Sequence, residues 1–119
     1  MWLEVKTLTD LRRAAETLCS GWAERAIPQD KIFDCRLVVN ELVGNVLRHS
    51  DGVAFVASEI EDGHVEIRIR STKPFFPPIK SVCSHSEAEG GRGLFLVDNV
   101  SVSRVVTEDG EIKVVIEYE

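Results

Sequence analysis

The stretch from Leu37 to Ser50, LVVNELVGNVLRHS, constrains the fold most, because Glu41, Asn45 and His49 recur every four residues inside an apolar run of helical period. Residues four apart stack on one face of an α-helix, so the three polar side chains share a stripe. Val39, Leu42, Val43, Val46 and Leu47 cover the neighbouring arc and need an apolar surface, such as a sheet, to pack against. One helix then carries a core face and a chemical face side by side. A carboxylate and an amide oxygen one turn apart suit a hard cation, and Mg²⁺ in particular takes oxygen ligands, retains waters and shares the phosphates of a nucleotide. The same pair can position a hydroxyl or a water for phosphoryl transfer. Spacing alone also fits a plain solvated helix face, and a second feature has to decide.

That feature is Gly90-Gly91-Arg92-Gly93-Leu94-Phe95-Leu96-Val97, a glycine cluster running into an apolar segment that reads as the start of a helix. Glycines let the backbone approach a ligand, and the free N–H groups of a helix N-terminus bind anions. Arg92 adds a charge with bidentate geometry for phosphate or carboxylate. A Gly-x-Gly by itself marks many ordinary loops. Neither G-x-G-x-x-G after a strand nor G-x-x-x-x-G-K-[ST] is present.

A helix bearing E-x-x-x-N-x-x-x-H, then strands, then a polar stretch, then G-x-G-L opening a helix: this order resembles the GHKL ATP-binding superfamily. ELVGNVLRHS with GGRGLFLVDNV is similar, more narrowly, to the bacterial anti-sigma factor and serine-kinase branch. The resemblance covers nearly the whole chain. It implies an α+β fold, the two-layer Bergerat (histidine-kinase-like ATPase) sandwich, in one domain over residues 1–119. It also implies Mg²⁺ and ATP as cofactors. In that family the matching Glu is the general base or water-orienting carboxylate and the matching Asn binds Mg²⁺, which assigns those roles to Glu41 and Asn45. His49 and Ser50 match the end of the same motif, near the phosphates. Gly91, Arg92, Gly93 and Leu94 match the second glycine box, which lines the triphosphate. The implied partners are a sigma factor and an anti-sigma antagonist, and homodimers through the first strand and helix are common in the family.

The chain departs from the pattern at one position. Family members carry an Asp after the strand that follows the hairpin, and it accepts a hydrogen bond from the adenine amino group. Here Val65-Glu66-Ile67-Arg68-Ile69-Arg70 runs into Ser71-Thr72-Lys73-Pro74, which puts Ser71 in that place. A hydroxyl accepts a hydrogen bond without the charge that makes a carboxylate a strong acceptor. Losing one charge-assisted bond costs on the order of 1.5–3 kcal/mol, roughly ten- to a hundredfold in affinity.

Composition narrows the rivals. A chain of 119 residues has room for one core of helices on a sheet. A formal net charge of −6 argues against a nucleic-acid partner, which needs clustered Lys and Arg, and leaves room for a basic protein partner. No apolar run approaches a membrane span, and MWLEVKTLTD lacks a signal-peptide pattern, so the expected location is the cytoplasm. Cys19, Cys35 and Cys83 are odd in number and far apart, unlike a disulfide framework or a zinc site. The first two read as small core residues. Cys83 near His85 offers a thiolate–imidazole couple, with no recognisable oxyanion device beside it. His64, after Asp62-Gly63, reads as an exposed turn neighbour.

The layout predicts a strand over Trp2 to Lys6 and a helix capped by Thr9-Asp10 that runs to about Ala26 and buries Leu11, Ala14, Ala15, Leu18 and Trp22. Ile27-Pro28 breaks it, and a second helix runs from about Gln29 to Arg48. Val53 to Glu59 and His64 to Arg70 form a hairpin through Glu61-Asp62-Gly63, and Val100 to Thr107 and Glu111 to Tyr118 form another around Glu108-Asp109-Gly110. The helices then lie on one face of a mainly antiparallel sheet. Thr72 to Gly90 carries three of the four prolines and corresponds to the ATP lid of the family. Within it, Phe75 and Phe76 either tuck under the loop or offer an adenine shelf or partner patch.

Three functions remain open on these residues. One is a serine/threonine kinase that sequesters a sigma factor and phosphorylates its antagonist. The second is a binding module of the same fold that has lost catalysis, which Ser71 favours. The third is a phosphorelay protein with His49 as acceptor, which requires an exposed imidazole. A sensor kinase finds no dimerisation helices in this sequence.

Overall fold

The computed structural model describes residues 2–49, 52–72 and 89–119. The elements follow in the order β1 (Leu3–Val5), α1 (Leu8–Glu24), α2 (Gln29–His49), β2 (Ala54–Glu61), β3 (His64–Ser71), α3 (Glu89–Val100), β4 (Ser103–Val106) and β5 (Ile112–Glu117). The strands form one sheet in the order β1-β2-β3-β5-β4, with antiparallel pairing throughout. Period-two alternation in the strands puts Val5, Ala54, Val56, Val65, Ile67, Ile69, Ile112, Val114 and Ile116 on the buried face. Against them pack Leu11, Ala14 and Trp22 of α1, Val38, Val39, Leu42, Val43 and Val46 of α2, and Leu94 and Val97 of α3. This is the two-layer α+β sandwich implied by the sequence.

Local chemistry explains where α1 begins and ends. The cap is Thr7, not the Thr9-Asp10 pair: Thr7 Oγ1 accepts from the Asp10 N–H at 3.1 Å, and the Asp10 carboxylate accepts from the Lys6 N–H at 3.0 Å. Asp10 thus occupies the third helical position, where its charge faces the unpaired N–H groups. The helix closes before Ala26, which sits at φ 61°, while the Ile27 N–H reaches back to the Trp22 carbonyl at 3.1 Å. That is a Schellman closure with an alanine where glycine is usual, and burial of Ile27 beside Trp22 secures it. Trp22 is 2% exposed, and its indole N–H donates to Ser58 Oγ at 2.8 Å, tying α1 to β2. Leu18, on the side of α1 expected to face inward, is half-buried and packs at the margin of the core.

The two hairpins form where acidic-glycine turns were expected. Glu61 pairs with His64, so the first loop is only Asp62-Gly63, with Gly63 at φ 81°. In the second, Gly110 at φ 86° donates its N–H to the Thr107 carbonyl at 3.0 Å. β4 is shorter than the expected 100–107. Val100 belongs instead to α3, because it packs against the core, and the Ser101 hydroxyl closes that helix on the Val97 carbonyl at 2.8 Å. Arg104, whose side chain is 3% exposed, forms a two-point pair with Asp98 at 2.7 and 3.1 Å and anchors α3 to β4. No helix among the described residues is long and apolar enough to cross a membrane.

Candidate functional site

The stripe on α2 is built by the helix that supplies more of the core than α1 or α3 does. Val39, Leu42, Val43 and Val46 are at most 1% exposed and Leu47 is half-buried, which fixes the rotation of α2 on the sheet. Rotation fixed in this way leaves Glu41 half-buried, Asn45 at 2% exposure and His49 exposed. The stripe is therefore deepest at Asn45 and emerges into solvent at His49. Glu41 makes no hydrogen bond or ion pair with another described residue. Asn45 Oδ1 accepts a hydrogen bond from Arg48 Nη2 at 2.5 Å, one turn further along the same helix.

Topology brings Ser71 toward the same end of the molecule. The chain leaves α2 at His49 and enters β2 at Ala54, and the partner of Ala54 across the sheet is Ser71. The link is closed by the Thr72 N–H to the Val53 carbonyl at 2.9 Å and the Val53 N–H to Thr72 Oγ1 at 2.8 Å. The half-buried Ser71 is thus held at the end of β3 by main-chain pairing.

The glycine cluster lies differently from expectation. Gly90, Gly91, Arg92 and Gly93 fall within α3 rather than ahead of it. Leu94 and Val97, three residues apart and 3% and 0% exposed, seat the helix on the core, and helical backbone extends upstream through the glycines. The first four N–H groups of a helix have no partner within it, so this turn still directs donors outward. With its side chain in the core, Leu94 has only its main chain to offer a ligand. Ser50, Phe75, Phe76, Cys83, His85 and residues 73–88 of the expected lid lie outside the described residues.

The donor set fits magnesium in one particular way. No three His, Cys, Asp or Glu side chains among the described residues gather as a metal cage. Glu41 and Asn45 supply two hard oxygen donors from one helix, and Mg²⁺ is held by one or two such groups together with phosphates and water. These residues fit a cation that arrives with its nucleotide and not a protein-held ion.

Other parts of the molecule are less reactive. Cys35 is fully buried, and burial pushes its thiol up to about 12, which makes it a core residue without thiolate character. His64 is half-buried, not exposed, with Nε2 3.6 Å from the Glu61 carboxylate. A groove of about 650 Å³ runs between α1 and β2, lined in part by Leu3, Leu18, Gly21, Trp22, Ser58 and Ile60. None of its lining residues belongs to α2 or α3, and it gathers neither paired oxygen donors on one stripe nor a phosphate device. The α2 stripe lies apart from this groove.

Two features of the structure go beyond the sequence motifs. Arg48 stands three residues from Asn45, a spacing at which helical side chains meet. The Asp98–Arg104 pair had no local signature, since it joins a helix to the strand after it.

A family model for the histidine kinase-like ATPase domain matches residues 1–116. No curated protein matches the chain. The matched span takes in all eight elements, short only of the last residue of β5, and includes the α2 stripe and the glycine-bearing α3. With an α+β sandwich of the right order and a match over nearly its whole length, the chain belongs to the histidine kinase-like ATPase domain family.

Proposed function

We propose that this chain is an anti-sigma regulatory factor-like protein that binds Mg²⁺-ATP on α2 and α3, sequesters a sigma factor and phosphorylates a serine or threonine of the antagonist. The observation that carries this reading is the α2 stripe, in which a buried Asn45 and an unpartnered Glu41 stand one turn apart on a helix whose other face is locked into the core. A half-buried carboxylate without a partner among the described residues is open to a ligand.

In this reading Asn45 Oδ1 would hold the metal, and the first turn of α3 with Arg92 would hold the phosphates. The metal, when bound, neutralises charge on the phosphates. Glu41 accepts the proton of the attacking hydroxyl or orients it, a function of carboxylates at such sites. Leu94 and Val97 keep α3 rigid beneath its N–H groups. A catalytically degenerate binding module of the same fold is the second reading, and Ser71 at the end of β3 favours it, because the adenine side then lacks a charged acceptor.

Calorimetric titration with Mg²⁺-ATP, with Asn45→Ala as control, tests the proposal. Micromolar binding that the variant loses supports a working site. Absence of binding at millimolar ATP removes the nucleotide from the function and leaves the degenerate module. Transfer of labelled phosphate to a co-purifying antagonist tests the kinase step.

A further inference from the structure

Arg48 lies three residues beyond Asn45, and its Nη2–H donates to Asn45 Oδ1 at 2.5 Å. Long side chains on a helix lean back over the preceding turn, which carries this guanidinium toward Gly44 and Asn45. A Cβ built on Gly44 would stand 3.5 Å from Arg48 Nη1, an ordinary contact distance that places the guanidinium over this turn. Arg48 therefore lies against the turn that bears the amide.

The amide oxygen is the only atom of the Asn45 side chain able to ligate a hard cation. Guanidinium has donors and no acceptor, and it stays charged at any working pH. A divalent cation on the same oxygen would sit within a few ångströms of that positive charge, and the repulsion is strong in a partly desolvated site. Asn45 is 2% exposed while Arg48 is exposed, so the arginine can swing into water without disturbing the core.

We propose that Arg48 is a built-in competitor of the divalent cation: it occupies Asn45 Oδ1 in the nucleotide-free protein, is displaced on loading, and thereby sets the metal dependence of nucleotide binding. The inference rests on the reading of Asn45 as the metal ligand. Arg48 is in this sense a positioning residue for the amide, and its removal is expected to make the metal more effective, not less.

The test is a calorimetric comparison of ATP affinity with and without Mg²⁺ in wild type, Arg48→Met, Asn45→Ala and the double variant. The readout is the ratio of the two affinities, the metal increment. Arg48→Met is expected to raise this increment about two- to tenfold, the worth of one displaced hydrogen bond. In the Asn45→Ala background the same substitution is expected to change nothing, as a double-mutant cycle requires of an interaction made through that amide. In the nucleotide-free protein, exchange protection of the Arg48 side-chain N–H groups, seen by NMR, is expected to fall in Asn45→Ala.

An unchanged or smaller increment in Arg48→Met overturns the inference while leaving the nucleotide site intact. So does a loss of ATP affinity of equal size with and without Mg²⁺, which would make Arg48 a phosphate ligand. Binding in Arg48→Met but not in wild type supports the inference in its strongest form. Failure of every variant, Arg48→Met included, to bind ATP removes the proposed function and the inference together.

Discussion

The polar stripe of α2 and the open face of the sheet hold similar side chains under opposite conditions. On the open face, Glu66 is only 6% exposed, yet it accepts from Arg68 at 2.6 Å and lies 3.2 Å from Lys113. Arg70 pairs with Glu111 and lies over the Trp2 ring, 4.7 Å from its centroid. Burial alone would push the Glu66 carboxyl up, but the hydrogen bonds from Arg68 and Lys113 outweigh it and hold the group below its usual 4.5. On α2, by contrast, Glu41 has no partner among the described residues, and Asn45 has a single side-chain hydrogen bond, from the exposed Arg48. The sheet face is cross-linked because cross-strand neighbours of opposite charge stabilise the pairing. On the helix stripe Glu41 alone lacks a partner among the described residues, a departure from local satisfaction of the kind that accompanies ligand sites.

The contrast can be broken or sharpened by substitution. Glu41→Gln is expected to lower any phosphoryl transfer by about 10²–10⁴-fold while leaving nucleotide affinity and thermal stability nearly unchanged, within about 0.5 kcal/mol. Equal transfer by the variant would remove Glu41 from the chemistry. Ser71→Asp is expected to tighten adenine-nucleotide binding roughly ten- to a hundredfold in calorimetry. No change would show an adenine pocket built on other acceptors.

On the scaffold side the expected effects fall on stability and spare the nucleotide. Glu66→Ala should cost about 1–2 kcal/mol in urea unfolding, since it leaves Arg68 and Lys113 without their shared carboxylate. Because the folded value of Glu66 lies below 4.5, its contribution is fully present above about pH 4.5 and is lost as pH falls through that folded value. Glu66→Gln should accordingly flatten the acid limb of a stability–pH curve. Arg70→Ala, at a side chain 53% exposed, should cost no more than about 1 kcal/mol and leave ATP titrations untouched. A nucleotide effect from either scaffold variant would mean that the two regions are coupled.

Much of this was legible from local pattern. The four-residue spacing of Glu41, Asn45 and His49 within an apolar period placed the stripe, and alternation placed the strands and both glycine turns, because these signals need only residues close in the chain. Boundaries were less legible. Thr7 rather than Thr9 caps α1, since the choice depends on which carboxylate can reach back to an N–H, and Val100 joins α3 since the core accepts it there.

The sequence by itself determined the α+β class, the residues of the α2 stripe and the absence of a charged acceptor at Ser71, all of which follow from residue type and period. Only the tertiary structure decided how deep each stripe residue lies, that the glycine cluster is helical, that Asp98 and Arg104 join α3 to the sheet, and that Arg48 covers the Asn45 amide. Burial and long-range pairing depend on how α2 is rotated against the sheet, and that rotation is set by the whole core acting together.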